Sequence, residues 1–165
     1  MKPGLYLLIG IILFWYPLSL IHEFGHILSV VINGGTFIRI DWRYYIFSET
    51  IREQSSYPVI DIWTGPIFGS LVPLIFYLSL WKYKFSFILG WFSSICLIGN
   101  GIYIGLGGEF DGGDGSQLIG LGVDIKWLCF YGFVSFVSGI FILDIITKSN
   151  KKSAQQGDAP ETSAI

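Results

Sequence analysis

Charge is scarce in this chain. Lys, Arg, Asp and Glu make up 13% of its 165 residues, against about 25% in a soluble domain. With 52% hydrophobic residues, that scarcity excludes an ordinary soluble domain and predicts an integral, multi-pass membrane protein lodged in a lipid bilayer. Cysteine is nearly missing too. Cys96 and Cys129 each lie in an apolar run, which predicts buried thiols and excludes a disulfide framework. No basic patch is present, so nothing points to nucleic acid, and the net charge of −2 is uninformative. Histidine occurs only twice. Both copies fall in one run, His22-Glu23-Phe24-Gly25-His26.

That run has the form H-E-x-x-H. On a helix it sets two imidazoles one turn apart on one face, a two-point grip for zinc, with the glutamate placed as a general base. The segment 5–32 carries no other charged side chain. Charges at membrane depth cost about 2.5–3.5 kcal/mol each, so they mark function. In a soluble chain the pattern is often accidental; on a membrane helix holding the only two histidines, metal binding is the stronger reading. Ser19, His22, His26, Ser29 and Asn33 share one broad helical face, with Glu23 about 100° away. Such a polar stripe should face the bundle interior or a water-filled cavity.

Four apolar segments emerge, at 4–32, 58–81, 85–106 and 127–146. The first exceeds the ~20 residues needed to span a bilayer. No small-residue cleavage site follows it, so it reads as an uncleaved helix rather than a signal peptide, with a kink expected at Pro17. The second is interrupted by Gly65-Pro66 and Pro73. Asn33-Gly34-Gly35 ends the first helix. Residues 36–47 then alternate in period two, with β-branched and aromatic side chains, and predict a short interfacial strand or hairpin. The fold class expected is an all-α membrane protein of about four transmembrane helices with that strand or hairpin after the first. Residues 1–147 form the membrane-embedded domain and 148–165 a disordered polar tail. No internal repeat is present.

A catalytic zinc takes three protein ligands and leaves one position for water. With no further histidine, the third ligand must be a carboxylate. Glu109, Asp111 and Asp114 lie in a glycine-rich stretch after the third segment. A four-pass topology brings the ends of the first and third segments to the same membrane side, so the histidines and this acidic loop converge. The loop alone is weak evidence, since Asp-Gly runs are ordinary turns, and it does not fit a calcium loop. The metal would lower the pKa of its water toward ~7, and Glu23 would take the proton and pass it to a leaving amine.

These residues resemble the site-2 protease family of intramembrane zinc metalloproteases in its compact forms. The resemblance rests on His22-Glu23-Phe24-Gly25-His26, the Gly34-Gly35 turn with its β-like sequel, Trp63-Thr64-Gly65-Pro66 opening the second helix, and Asp114-Gly115, and covers about residues 4–120. It implies His22, His26 and Asp114 as zinc ligands, Glu23 as catalytic base, and Asn100 as a substrate-binding residue. Asp111-Gly112 is a second Asp-Gly pair, so Asp111 stands as the alternative ligand. Asp114 is favoured because Gln117-Leu118-Ile119 can start a helix directly after it. The family's prolines between the Asn and the Asp are missing here, and no PDZ-like domain fits the length.

The substrate implied is a membrane protein or peptide, cut in or near the bilayer. Lys2, Lys82, Lys84 and the tail lysines lie on one side of the expected topology; Arg39, Arg43, Arg52 and Lys126 lie on the other. The positive-inside rule puts the termini in the cytoplasm and the site outside, whereas the resemblance implies a site open to the cytoplasm; both orientations stand. Two alternatives to a protease also stand. One is a non-catalytic protein binding metal or a partner through the same fold. The other is a bundle whose polar residues are accidental.

Overall fold

The first apolar segment folds as one helix, α1 (Pro3–Ile32), continuous through Pro17. It stops where Gly34 takes φ +75°, and Gly35 N–H donates back to the Val30 carbonyl at 2.8 Å. This is a left-handed C-terminal cap that glycine adopts without strain. A hairpin follows, β1 (Phe37–Asp41) and β2 (Glu49–Arg52), antiparallel, with Ile40 opposite Thr50 and Asp41 opposite Glu49. Among the described residues four helices complete the path: α2 (Pro58–Ser79), α3 (Ser86–Gly105), the short α4 (Asp114–Gly120) and the long α5 (Ile125–Gly157). The computed structural model describes residues 3–42, 48–53, 55–83, 85–107 and 113–157, and side chains from 13 to 149 among them.

The hairpin was expected, but its second strand lies beyond the residues that foretold it. The part of 36–47 from 43 onward lies outside the described residues. Pro58 opens α2 from within its first turn, where a missing N–H costs nothing. The helix then runs through Pro66 and Pro73, so the interruptions expected there do not divide it. Prolines inside apolar helices are tolerated where neighbouring groups meet the freed carbonyls.

α1 packs on α2, α2 on α3 and α3 on α5, while α4 sits against α2 and α3. α3 and α5 come close because Gly105 faces Gly132, where a Cβ on Gly132 would lie 2.6 Å from the Gly105 Cα. Under α4, Ile62, Tyr103, Ile104, Leu118 and Leu128 form a buried apolar cluster. Elsewhere the usual order is reversed. His22, Glu23, His26, Asn100 and Asp61 are buried, while Ile75, Phe76, Trp127, Phe133 and Phe141 are exposed.

Among the described residues, three helical stretches are long and apolar enough to cross a membrane: Pro58–Ser79, Ser86–Gly105 and Ile125–Ser149. About four were expected. α1 is a fourth apolar helix, and its side chains before residue 13 lie outside the described residues. Two other expectations are corrected. Cys129 is an exposed free thiol, whereas Cys96 is buried. The tail expected to be disordered from 148 is helical to Gly157. Lys, Ala and Gln there favour helix, and Lys148 Nζ donates to Asp144 Oδ2 at 2.6 Å across one turn. Residues 158–165 lie outside the described residues.

Candidate metal centre

The polar stripe of α1 points inward as its spacing foretold. Ser19, His22, His26 and Ser29 are all buried. The His22 ring meets Asn100 of α3: its Nδ1 lies 2.7 Å from Asn100 Oδ1. The Asn100 amide is oriented by its other end, since Nδ2 donates to the Cys96 carbonyl at 3.0 Å. The His26 ring places Nδ1 2.7 Å from the Asp61 backbone carbonyl at the start of α2. Both of these acceptors are oxygens that cannot donate. Each Nδ1 therefore carries the proton, and in the neutral rings each Nε2 presents a lone pair.

Those two lone pairs converge on one carboxylate. His22 Nε2 lies 2.8 Å from Asp114 Oδ2, His26 Nε2 lies 3.2 Å from the same oxygen, and the two Nε2 atoms are 3.1 Å apart. Three electron-rich atoms at such distances need a proton or a metal cation among them. A tetrahedral zinc with bonds of about 2.0–2.1 Å sets its ligand atoms about 3.3 Å apart. The triangle is thus slightly tight and otherwise the right size. Two imidazoles and one carboxylate suit zinc better than calcium or magnesium, and three protein ligands leave a position open. The residues fit the group. The Nδ1 partners are the outer hydrogen bonds that such histidines ordinarily make.

Asp114 reaches the histidines from the first turn of α4. The helix begins on Asp114 itself, earlier than Gln117, and a carboxylate there opposes the positive end of the helix dipole. Tyr103 helps to place it: the Asp114 N–H donates to Tyr103 Oη at 3.0 Å, and the Tyr103 ring stands edge-on to His22. Gly107 and Gly115 bring the α3 end and α4 together, since a Cβ on Gly115 would lie 2.4 Å from the Gly107 Cα. Burial alone would raise the Asp114 carboxyl, but in the metal-free site the imidazoles of His26 and His22, when protonated on Nε2, hold it well below the usual carboxylate range. Of the expected residues, His22, His26 and Asp114 come together in one group. Asp111 and Glu109 lie outside the described residues. Asn100 lies under His22 and is fully buried.

Glu23 is buried beside this group, and its Oε2 accepts a hydrogen bond of 2.6 Å from Thr50 Oγ1 on β2. Asp61 gathers the lower end of the site. Ser29 Oγ and Asn33 Nδ2 each donate to its Oδ1 at 2.7 Å, and Ser55 Oγ donates to its Oδ2. Thr50, Tyr103 and Asp61 escaped the sequence reading. For Tyr103 a signal was available, since Cys96, Asn100 and Tyr103 follow helical spacing on one face of α3. For Thr50 none was. A cavity of about 400 Å³ opens alongside, lined among others by Thr50, Arg52, Asp61 and Gln117.

Gly65 shows how tightly α2 closes on the histidines. A Cβ there would lie 2.2 Å from His26 Nε2. Gly65→Ala is expected to displace that ring, cost about 1–3 kcal/mol of stability through overpacking and, in a site that holds zinc, weaken its retention at least about tenfold. Dialysis against a competing chelator, followed by metal analysis, measures it; retention equal to wild type would mean that His26 is not a ligand. Comparison of the chain with protein-family models, with curated proteins and with solved structures found no match.

Proposed function

We infer that this chain is a multi-pass membrane protein and a zinc metalloprotease of the site-2 protease type, hydrolysing peptide bonds in or near the bilayer. The observation that carries this reading is the meeting of His22 Nε2, His26 Nε2 and Asp114 Oδ2 within 3.2 Å, with a buried glutamate one residue from the first histidine. In this reading α1 is the fourth span. Its charged residues face protein, which is how intramembrane polar groups are accommodated, and the exposed aromatic and aliphatic side chains of α2 and α5 face lipid.

Zinc held by the three residues supplies Lewis-acid polarisation of a carbonyl and of water. The chain's own residues do the rest. Glu23 takes a proton from the water that attacks the scissile carbonyl carbon, and gives it to the amide nitrogen as the C–N bond breaks. One water is consumed, its hydroxyl going to the new carboxyl end and its proton to the new amine. Asn100 and the Asp61 carbonyl hold the imidazoles in the tautomer that leaves Nε2 free for metal. An extended peptide can add to the outer edge of the hairpin, which has two strands among the described residues, and gain main-chain hydrogen bonds there.

Metal removal tests the proposal. Purified protein in detergent is expected to hold about one zinc per chain and to cleave a transmembrane peptide. Treatment with a strong chelator should remove both zinc and cleavage, and one equivalent of zinc should restore them. Wild-type protein without stoichiometric zinc, or cleavage that survives its removal, would sink the reading.

A further inference from the structure

A glutamate side chain has three rotatable bonds, and α1 alone does not set where the Glu23 carboxylate points. Glu23 is only 1% exposed, so its direction is set by what touches it. Thr50 Oγ1 donates to Glu23 Oε2 at 2.6 Å. Thr50 is itself buried and paired opposite Ile40 in the hairpin. The ladder holds its backbone, and its β-branched side chain has a restricted χ1. The donor therefore has a fixed direction.

A second tie repeats the pattern one step along. Ser19 Oγ donates to Ser48 Oγ at 3.1 Å. Ser48 and Thr50 are two residues apart on one limb of the hairpin, a spacing of roughly 6.6 Å. Ser19 and Glu23 are four apart on α1, a spacing of roughly 6 Å. The two periods match, so the hairpin docks on α1 in one register. A slip of one residue would turn Thr50 away from the glutamate. Further along the same limb, Ser55 Oγ donates to Asp61 Oδ2, the residue whose carbonyl holds His26.

We propose that Thr50 is a positioning residue for Glu23: its hydroxyl aims the carboxylate for proton transfer, and the hairpin thereby belongs to the catalytic apparatus. The inference rests on the protease reading of the same site.

The test compares Thr50→Val, nearly isosteric but without the donor, with Thr50→Ser, which keeps it. Each is made in the full chain, with cleavage kinetics, zinc content and the infrared carboxyl bands measured. The bands belonging to Glu23 are those that Glu23→Gln removes. Thr50→Val is expected to lower kcat about 10–100-fold, the range typical of losing such a supporting hydrogen bond. KM should stay within about twofold and zinc near one per chain. The Glu23 band should shift in Thr50→Val and return in Thr50→Ser. An unmoved band or an unchanged kcat overturns the proposal. So does a joint fall in zinc content, kcat and melting temperature, which would make Thr50 a packing residue. Wild-type protein that holds zinc but shows no Glu23-dependent cleavage defeats the protease reading instead, and a shifted band would then still place Glu23 under the control of Thr50.

Discussion

Glu23→Gln is expected to abolish peptide cleavage while leaving about one zinc bound per chain. The amide keeps the size of the carboxylate and its acceptor oxygen, so Thr50 Oγ1 can still donate to it across the 2.6 Å contact. What is lost is the ability to take a proton. General-base catalysis is worth about 10²–10⁴ in rate, equivalent to about 3–5 kcal/mol of barrier. The glutamate serves twice in this reading, so kcat should fall at least to the far end of that range, with little change in KM. The proposed ligand atoms, on His22, His26 and Asp114, are untouched, so zinc content separates loss of chemistry from loss of the site. Retained cleavage would end the protease proposal. Retained zinc in a wild type that never cleaves would favour a non-catalytic metal-binding protein on the same scaffold.

The parts of this site legible in the sequence were those with a period. His22 and His26 lie one helical turn apart with Glu23 next to the first, and Ser19 and Ser29 extend that period on the buried face. Asp114 was reachable because few carboxylates were left and topology carried them to the right side. Contacts between separate elements have no such signature. Thr50 meets Glu23 from 27 positions away in sequence, from a four-residue strand, Glu49–Arg52, too short and too polar to show alternation. By sequence Asp61 is one acid in the first turn of α2. Nothing in its neighbours reveals that it ties Ser29, Asn33 and Ser55 together. Cys129 shows a limit of a different kind. In a soluble protein an apolar run predicts burial in protein. Here the same apolarity also suits a surface facing lipid, so hydropathy locates the spans and says little about which face packs.

Asp114→Asn is expected to remove zinc, and Asp111→Asn to leave it bound. Asparagine preserves the shape at Asp114, yet it takes away the one negative charge among the three ligands. It also replaces an oxygen with an N–H₂ group that donates. That donor can satisfy a lone pair on His22 or His26 directly, at positions now 2.8 and 3.2 Å from the carboxylate oxygen. The metal-free variant should therefore fold at least as well as metal-free wild type, in which three electron-rich atoms face one another without a metal. The contrast appears only when zinc is added. A ligand that binds the folded state alone stabilises it by about 4 kcal/mol at a thousandfold excess over its Kd. Wild type and Asp111→Asn should both show that gain as a rise in melting temperature, and Asp114→Asn should show almost none, with at least about a hundredfold weaker zinc affinity. The reverse pattern, zinc-dependent stabilisation kept by Asp114→Asn and lost by Asp111→Asn, would transfer the third ligand to Asp111. The α4 start would then be a capping carboxylate that merely lies close to two histidines.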